Sequence, residues 1–214
     1  MRVERIIWDW NGTLLGDVDV CVECMNELLS EYALPAIERE YYRSIFCFPV
    51  QDYYAKLGFD FEKVPFEKCG LEFIEKYDRR QSAAGLTNGA EAALEAFRNA
   101  GFEQIVLSAS EVNALNTQIQ PFGISGYFTD ILGIDNRLAA GKLGIAQRYF
   151  EQRGITAENS VLIGDTVHDA DVAKALGAGC VLVANGHQPR EVLERAADAV
   201  AEDLSEAVKI ILSK

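Results

Sequence analysis

The chain has 214 residues, of which 49% are hydrophobic and 25% are charged, and this composition predicts a packed globular core. No apolar run approaches the roughly 20 residues of a membrane span, and the segment MRVERIIWDW lacks the pattern of a signal peptide. The formal net charge of −13 opposes binding to nucleic acid and to anionic membranes. We therefore expect a cytoplasmic protein with no nucleic-acid or membrane partner.

The five cysteines are odd in number and scattered, which favours free thiols in a reducing compartment. Cys21 and Cys24 form a CxxC pair, but they fall within a helical pattern of apolar residues and are expected to be core residues. There is no second CxxC, and the only histidines are His168 and His187, so we do not expect a zinc site.

The first predicted element is a strand at residues 2–9, whose apolar run ends directly on Asp9. From about 17 to 82 the pattern is helical and rich in aromatic residues, and three prolines divide it. We expect these aromatic side chains to form the core of a small helical insert, and Asp17 to cap its first helix.

Strands and helices alternate from about residue 84 onward. The predicted strands are 103–108, a short strand within YFTDILGID, 159–165 and 180–184. The predicted helices are about 88–100, 111–120, 142–152, about 169–176 and a final one, with capping boxes at Asn88/Glu91 and Asp203/Glu206. This alternation predicts an α/β fold with a doubly wound parallel sheet. We predict a core of residues 1–16 and 83–214, with a helical cap of residues 17–82.

Three predicted strands end on polar residues, namely Asp9, Ser108 and Asp165. Ligands of such sheets bind beyond the carboxyl ends of the strands, so these side chains should meet at one edge of the sheet.

Four motifs follow one another along the chain: DWNGTL at 9–14, VLSAS with Ser108, Lys142 in AAGKLGIA, and IGDTVHD with Asp165 and Asp169. With these motifs in order, the chain resembles the haloacid dehalogenase superfamily of hydrolases, in the phosphoglycolate-phosphatase-like branch that has a helical C1-type cap. The resemblance implies a Rossmann-like core. It also implies a Mg²⁺-dependent phosphatase that acts on a small phosphorylated metabolite through an aspartyl-phosphate. It does not indicate an oligomeric state.

The resemblance also implies a role for each motif residue. Asp9 would be the nucleophile, Lys142 would offset its charge, and the backbone carbonyl of Asn11 would bind the metal. The implied Mg²⁺ ligands are Asp9, Asn11, Asp165 and Asp169, and the implied phosphate-binding residues are Thr13, Ser108, Ala109 and Lys142. Two positions depart from the common family pattern, which has Lys-Pro at Lys142-Leu143 and Asp-Ser at Gly16-Asp17.

Asn11 is the most consequential departure, because phosphatases of this family have an aspartate two residues after the nucleophile. Asparagine cannot give or take a proton, and general acid–base catalysis contributes about 10²–10⁴ in rate. Asn11 therefore indicates a slow enzyme, one for acyl phosphates or phosphoanhydrides, or one in which His168 or a substrate group supplies the proton. It also permits a phosphate-binding protein that hardly turns over.

Two other reactions on this fold fit the sequence less well. A dehalogenase needs no metal, whereas the two carboxylates of GDTVHD are typical of a metal site. A phosphonatase uses a lysine of the cap as a Schiff base, and nothing in the sequence marks any insert lysine as desolvated; the candidates are Lys56, Lys63, Lys68 and Lys76. Arg43 is a candidate for binding a second anionic group, although a solvated position on its helix is the simpler expectation. We also expect both histidines to be surface or hydrogen-bonded loop residues.

Overall fold

The structure is a computed structural model that describes residues 3–134, 141–197 and 199–213. Its strands are β1 (Arg5–Trp8), β2 (Leu15–Gly16), β3 (Gly85–Leu86), β4 (Glu103–Glu111), β5 (Asp130–Ile134), β6 (Ser160–Gly164), β7 (Gly179–Val183) and β8 (Val200–Ala201). Six of them form one sheet in the order β5-β4-β1-β6-β7-β8, and every neighbouring pair is parallel. Residue 2 of the first predicted strand and residue 135 of YFTDILGID lie outside the described residues.

Helices cover both faces of this sheet. They are α5 (Ala90–Asn99), α6 (Val112–Ile119), α7 (Gly141–Arg153), α8 (Val167–Leu176), α9 (Arg190–Leu193) and α10 (Leu204–Leu212). Ile6 and Trp8 of β1 pack in a cluster with α5, α6 and α10, whereas Ile7 packs in a second cluster with α7 and α8. Because helices cover both faces of the sheet, side chains on both sides of the central strands are buried. The sequences of these strands are therefore continuously apolar rather than alternating. The predicted α/β fold class is confirmed.

Four helices lie between β2 and β3, namely α1 (Val18–Glu31), α2 (Arg39–Ile45), α3 (Val50–Lys56) and α4 (Phe66–Arg80). They share a buried cluster of their own, which includes Met25, Tyr42, Tyr53 and Tyr54. Strands β2 and β3 pair antiparallel, which brings the two ends of the helical insert together. Two-residue strands are too short to produce a recognisable sequence pattern. We refer to residues 17–82 as the cap segment; its exact limits stay a prediction.

Several local predictions can be compared with the structure. The cap of α10 is confirmed, because the Asp203 carboxylate accepts from Glu206 N–H at 2.9 Å. The capping box at Asn88 is wrong. Ala90 N–H donates to the Thr87 carbonyl, and this turn places Gly89 at the N-cap with a left-handed φ of +83°. Cys21 and Cys24 are buried free thiols, as expected. Within the described ranges, no helix is both long and apolar enough to cross a bilayer.

Candidate active site

The site lies at the carboxyl end of β1, where Asp9 follows Trp8 directly. Strand β1 runs between β4 and β6, so Ser108 of β4 and Asp165 after β6 reach the same edge. A cavity of about 160 Å³ opens there. Its lining includes Asp9, Ser108, Ala109, Lys142, Asp165 and Asp169. The predicted convergence of the three strand-end residues is therefore confirmed.

Lys142 places its ammonium group between two of the carboxylates. Its Nζ donates to Asp9 Oδ1 at 2.6 Å and also to Asp169 Oδ1. The residue stands at the start of α7 and is only 3% exposed, so this amine has little access to water. A buried ammonium needs such anionic partners to offset its loss of hydration.

Asp9, Asp165 and Asp169 each offer a carboxylate oxygen, and these oxygens lie within 4.8 Å of one another. The Thr13 hydroxyl lies 3.2 Å from Asp9 Oδ2 and 3.2 Å from Asp165 Oδ1. Together with Asp17, these three carboxyl groups outnumber the two cations that the described residues place beside them, Lys142 and His187, so the cluster has an excess of negative charge. Oxygen ligands in this arrangement fit a hard divalent cation.

The pKa values of the three carboxyl groups reflect their burial and their closeness to other charges. Burial raises the pKa of Asp9 from 3.8 to about 8, although the Lys142 ammonium acts in the opposite direction. Burial also raises the pKa of Asp165 to about 6. At Asp169 burial is outweighed by the Lys142 ammonium and by hydrogen bonds from Thr166, which hold its pKa below the ordinary value. A bound cation would lower the pKa of Asp9 and favour its carboxylate form.

The pKa shifts predict that the protein loses stability as pH rises from 6 to 8 in the presence of a chelator. The pKa of Asp9 is about 8 when folded and near 3.8 when unfolded, so only the folded state keeps this proton in that interval. A raised folded pKa means that the stabilisation is present at low pH and is lost as pH rises through the folded value. Denaturant titrations at pH 6, 7 and 8 measure the free energy of unfolding.

Asp9→Asn is the matched control for this pH dependence, since it removes the titrating carboxyl and keeps its size. We expect the variant to show a shallower decline than the unchanged chain over the same interval. A free energy of unfolding that increases from pH 6 to pH 8 would contradict the assigned direction.

Glycines let the surrounding backbone approach Asp165 closely. A Cβ atom at Gly12 or at Gly186 would overlap the Asp165 carboxylate. Gly12 also has a φ of +77°, which glycine adopts without strain. The turn after Gly186 aims His187 N–H at Asp165 Oδ2, at 2.6 Å. These two turns pack closely against the Asp165 carboxylate and hold it in place.

The Asn11 side chain is held by three neighbours. Its Nδ2 donates to Asp17 Oδ2 at 2.8 Å and to the Tyr77 hydroxyl at 2.9 Å. Its Oδ1 accepts from the Ser110 hydroxyl at 3.2 Å. The asparagine therefore serves as a structural link between the core and the cap segment.

Asp17 does not cap α1 as predicted. It stands at the N-cap position, but its side chain makes no capping hydrogen bond. Its carboxylate turns toward the site and accepts from Gly12 N–H at 2.9 Å and from the Tyr77 hydroxyl at 2.7 Å. The expected cap was wrong because stronger partners from distant parts of the chain are available to this carboxylate.

His187 is a buried histidine rather than a surface one. Its Nε2 lies 3.4 Å from Asp17 Oδ1, and its Nδ1 lies 2.9 Å from the Tyr42 hydroxyl. Burial opposes a charge on the ring, but the Asp17 carboxylate outweighs this effect and raises the pKa of His187 to about 9. The same contact lowers the pKa of Asp17 against the effect of its burial. The two groups thus form a buried ion pair between the core and the cap segment.

His168 occupies a different position, at the first turn of α8. It lines the cavity of Asp9 and stacks on Phe48 of the cap segment, with ring centroids 4.8 Å apart. Burial lowers its pKa below the ordinary value. Helix α8 begins at Val167, two residues before the predicted start, because Thr166 and Asp169 form a reciprocal capping box.

Arg43 ties the cap segment to the core loop 184–188. Its guanidinium donates to three backbone carbonyls of that loop, those of Ala184, Gly186 and Gln188. The side chain of Gln188 in turn donates to the Phe46 carbonyl at 2.9 Å. Arg43 is therefore neither a solvated residue nor free to bind a second anionic group of a substrate.

We expect Arg43→Gln to lower the free energy of unfolding by about 1–2 kcal/mol, because hydrogen bonds from a charged donor to buried carbonyls are lost. It should also speed proteolysis within the cap segment. Arg39→Gln on the same helix is the matched control, since Arg39 forms an exposed ion pair with Asp19. Equal stability losses in the two variants would argue against Arg43 as the tie between cap and core.

Sequence reasoning missed several residues of this network. Ser110, Thr166 and Tyr77 had no separate signal, because their roles depend on contacts made only in the folded chain. His187 follows the predicted strand 180–184, but nothing in the sequence indicated that it enters the site. The predicted site residues Asp9, Thr13, Ser108, Ala109, Lys142, Asp165 and Asp169 are brought together around one cavity or in contact with it.

Comparisons with known proteins give a matching family and similar folds. The sequence profile described as haloacid dehalogenase-like hydrolase matches residues 6–183. A tyrosine-protein kinase from Mycobacterium tuberculosis, PtkA, is 24% identical over 203 residues, which cover 92% of this chain and 67% of PtkA.

Solved structures share the whole architecture. A haloacid dehalogenase-like hydrolase from Streptococcus pneumoniae superposes with a TM-score of 0.82 at 16% identity, covering 97% of this chain and 98% of that one. A protein described as a predicted phosphatase from Clostridium acetobutylicum gives 0.81 at 19% identity, with complete coverage of both chains. CbbY from Rhodobacter sphaeroides, solved in complex with phosphate, gives 0.71 at 18% identity, covering 95% and 96%. At these identities the likeness establishes the fold.

Proposed function

Because the chain belongs to the haloacid dehalogenase-like hydrolase family, we propose that it is a Mg²⁺-dependent phosphatase that acts on a small phosphorylated metabolite. The observation that carries the proposal is the contact of Lys142 Nζ with Asp9 Oδ1 at 2.6 Å, inside a cavity with two further carboxylates. A carboxylate held beside a buried cation at the end of a strand is suited to attack phosphorus.

In the proposed reaction Asp9 Oδ attacks phosphorus, and the bond from phosphorus to the leaving oxygen breaks. The electron pair of that bond leaves with the oxygen, and the phosphoryl group remains on Asp9 as an aspartyl-phosphate. Water then attacks this phosphorus and gives a proton to the solvent, which releases phosphate and restores the Asp9 carboxylate. Ser108 and the adjacent backbone at Ala109 line the cavity where the phosphoryl oxygens would lie, and Lys142 would offset their charge.

Asp9, Asp165 and the backbone carbonyl of Asn11 would hold Mg²⁺, with Asp169 as a ligand or through a metal-bound water. The fit rests on the three buried carboxylate oxygens within 4.8 Å of one another and on their excess negative charge. When bound, the cation would neutralise charge on the phosphoryl oxygens. Asp169 would also orient Lys142, through the hydrogen bond between them.

The comparisons support phosphoryl chemistry in proteins of this fold. Several structural relatives are described as phosphatases, and CbbY was solved with phosphate. PtkA is named as a tyrosine-protein kinase, which is another phosphoryl-transfer activity. These descriptions apply to those proteins, and for this chain they support the proposed reaction class.

The structure bears on two alternatives. A phosphonatase would need a neutral cap lysine, but Lys76, which is buried contrary to expectation, pairs with Glu31 at 2.7 Å and with Glu27 at 3.3 Å. The hydrogen bond to Glu31 raises the pKa of Lys76 and keeps it charged. The second alternative is a phosphate-binding protein without turnover, and the feature that favours it is Asn11.

The test is phosphate release with Mg²⁺ or with a chelator, using an alkyl ester, a nitrophenyl ester, acetyl phosphate and pyrophosphate. Asp9→Asn defines the background. Mg²⁺-dependent release that disappears in Asp9→Asn is the expected result. Release at background level on every compound would refute the phosphatase and favour the binding protein.

A further inference from the structure

We infer that the substrate is an aryl phosphate, a phosphate monoester of a single-ring phenol that carries no further charged group. The inference deepens the proposed function and rests on it. A second cavity of about 330 Å³, which we call the cap cavity, lies beneath the cap segment. Apolar and aromatic side chains form most of its walls, among them Met25, Phe46, Tyr54 and Phe73. A 150 Å³ apolar cavity already accepts benzene, so this one has room for a substituted ring.

The cap cavity and the cavity of Asp9 are adjacent. Asn11, Phe46, Ala109 and His187 line both of them. A phosphoryl group placed against Asp9 would therefore direct its leaving group past Asn11 and into the cap cavity. The walls of that cavity select the leaving group.

The charges around the cap cavity oppose a second anionic group on the substrate. None of the described residues that line it is a lysine or an arginine. Its charged groups, Asp17 and His187, already pair with each other. Arg43 donates to backbone carbonyls and does not line the cavity. A carboxylate or a second phosphate buried here would lack a cationic partner, and such burial is costly.

The leaving-group chemistry points to the same class. Asn11 cannot protonate a departing oxygen, so a leaving group that is stable as an anion is favoured. A phenol with a pKa near 10, like that of tyrosine, leaves far more easily in this form than an alkyl alcohol. In the reaction the bond from phosphorus to the phenolic oxygen breaks, the phenolate carries the electron pair away, and solvent later protonates it.

The experiment compares kcat/KM of the Mg²⁺-loaded full chain on matched esters, with acetyl phosphate as the reference. Phenyl phosphate should exceed benzyl phosphate by about 10²-fold, since both carry the ring and only the first has a phenolic leaving group. It should exceed 4-carboxyphenyl phosphate at least about tenfold, because the added carboxylate lacks a partner. Turnover of acetyl phosphate without these preferences would overturn the aryl class while the phosphatase stands. No turnover of any compound would overturn both.

Discussion

Replacing Asn11 with aspartate should raise kcat for an alkyl phosphate by about 10²–10⁴-fold, the usual contribution of a general acid and base. The asparagine stands two residues after Asp9 and already lines both cavities, so an aspartate there would face the departing oxygen. The gain should be much smaller for an aryl or acyl phosphate, whose leaving group needs little protonation. Initial rates on ethyl phosphate and acetyl phosphate measure the difference.

The neighbours of Asn11 determine the state of the new carboxyl group. Asn11 Nδ2 lies 2.8 Å from Asp17 Oδ2, so an aspartate here would stand beside another carboxylate. Two carboxyl groups at such a distance share a proton, because the charge of one raises the pKa of the other. The new residue could then donate this proton to the leaving oxygen.

Asn11→Ala is the matched control for this gain, since it removes the amide without adding an acid. We expect it to show no increase on the alkyl ester. If Asn11→Asp also left the alkyl rate unchanged, the absence of an acid would not be what limits the enzyme.

The sheet and the cluster of Asp9, Ser108 and Asp165 could be predicted from the sequence because their signals are local. An apolar strand that ends on a polar residue is visible within ten residues, and parallel topology then brings such ends together. Lys142 was reached through the family resemblance rather than through any pattern of its own. Its burial between two carboxylates became visible only in the folded chain.

Asp17 and His187 show why the remainder of the site could not be predicted. In the sequence, an aspartate that precedes a helix is as consistent with an N-cap residue as with a residue of the site. Its actual direction is decided by His187, Tyr77 and Gly12, which reach it from separate elements. Similarly, most aromatic residues of the cap segment form its core as predicted, whereas two of them are exposed. Their spacing could not show that one side of this core borders a cavity.

Replacing Lys142 with methionine should affect catalysis, stability and metal binding in different ways. The change keeps most of the length of the side chain and removes the only cation in contact with Asp9 and Asp169 among the described residues. We expect kcat/KM to fall by about 10²–10³-fold, as for the loss of one charge-stabilising donor. Without metal, the free energy of unfolding at pH 8 should fall by about 3–5 kcal/mol, because buried carboxylates lose their partner.

Affinity for Mg²⁺ distinguishes a role in the site from a role in folding alone. With Lys142 gone, the three carboxylates carry an uncompensated charge that attracts a divalent cation more strongly, so Mg²⁺ should bind more tightly to Lys142→Met while turnover falls. Lys76→Met is the matched control, because Lys76 is a second buried lysine with two carboxylate partners, located in the cap segment away from Asp9. It should lose stability without any change in Mg²⁺ affinity, which calorimetric titration measures for both variants. Weaker Mg²⁺ binding in Lys142→Met would mean that the lysine organises the carboxylates for the cation rather than competing with it.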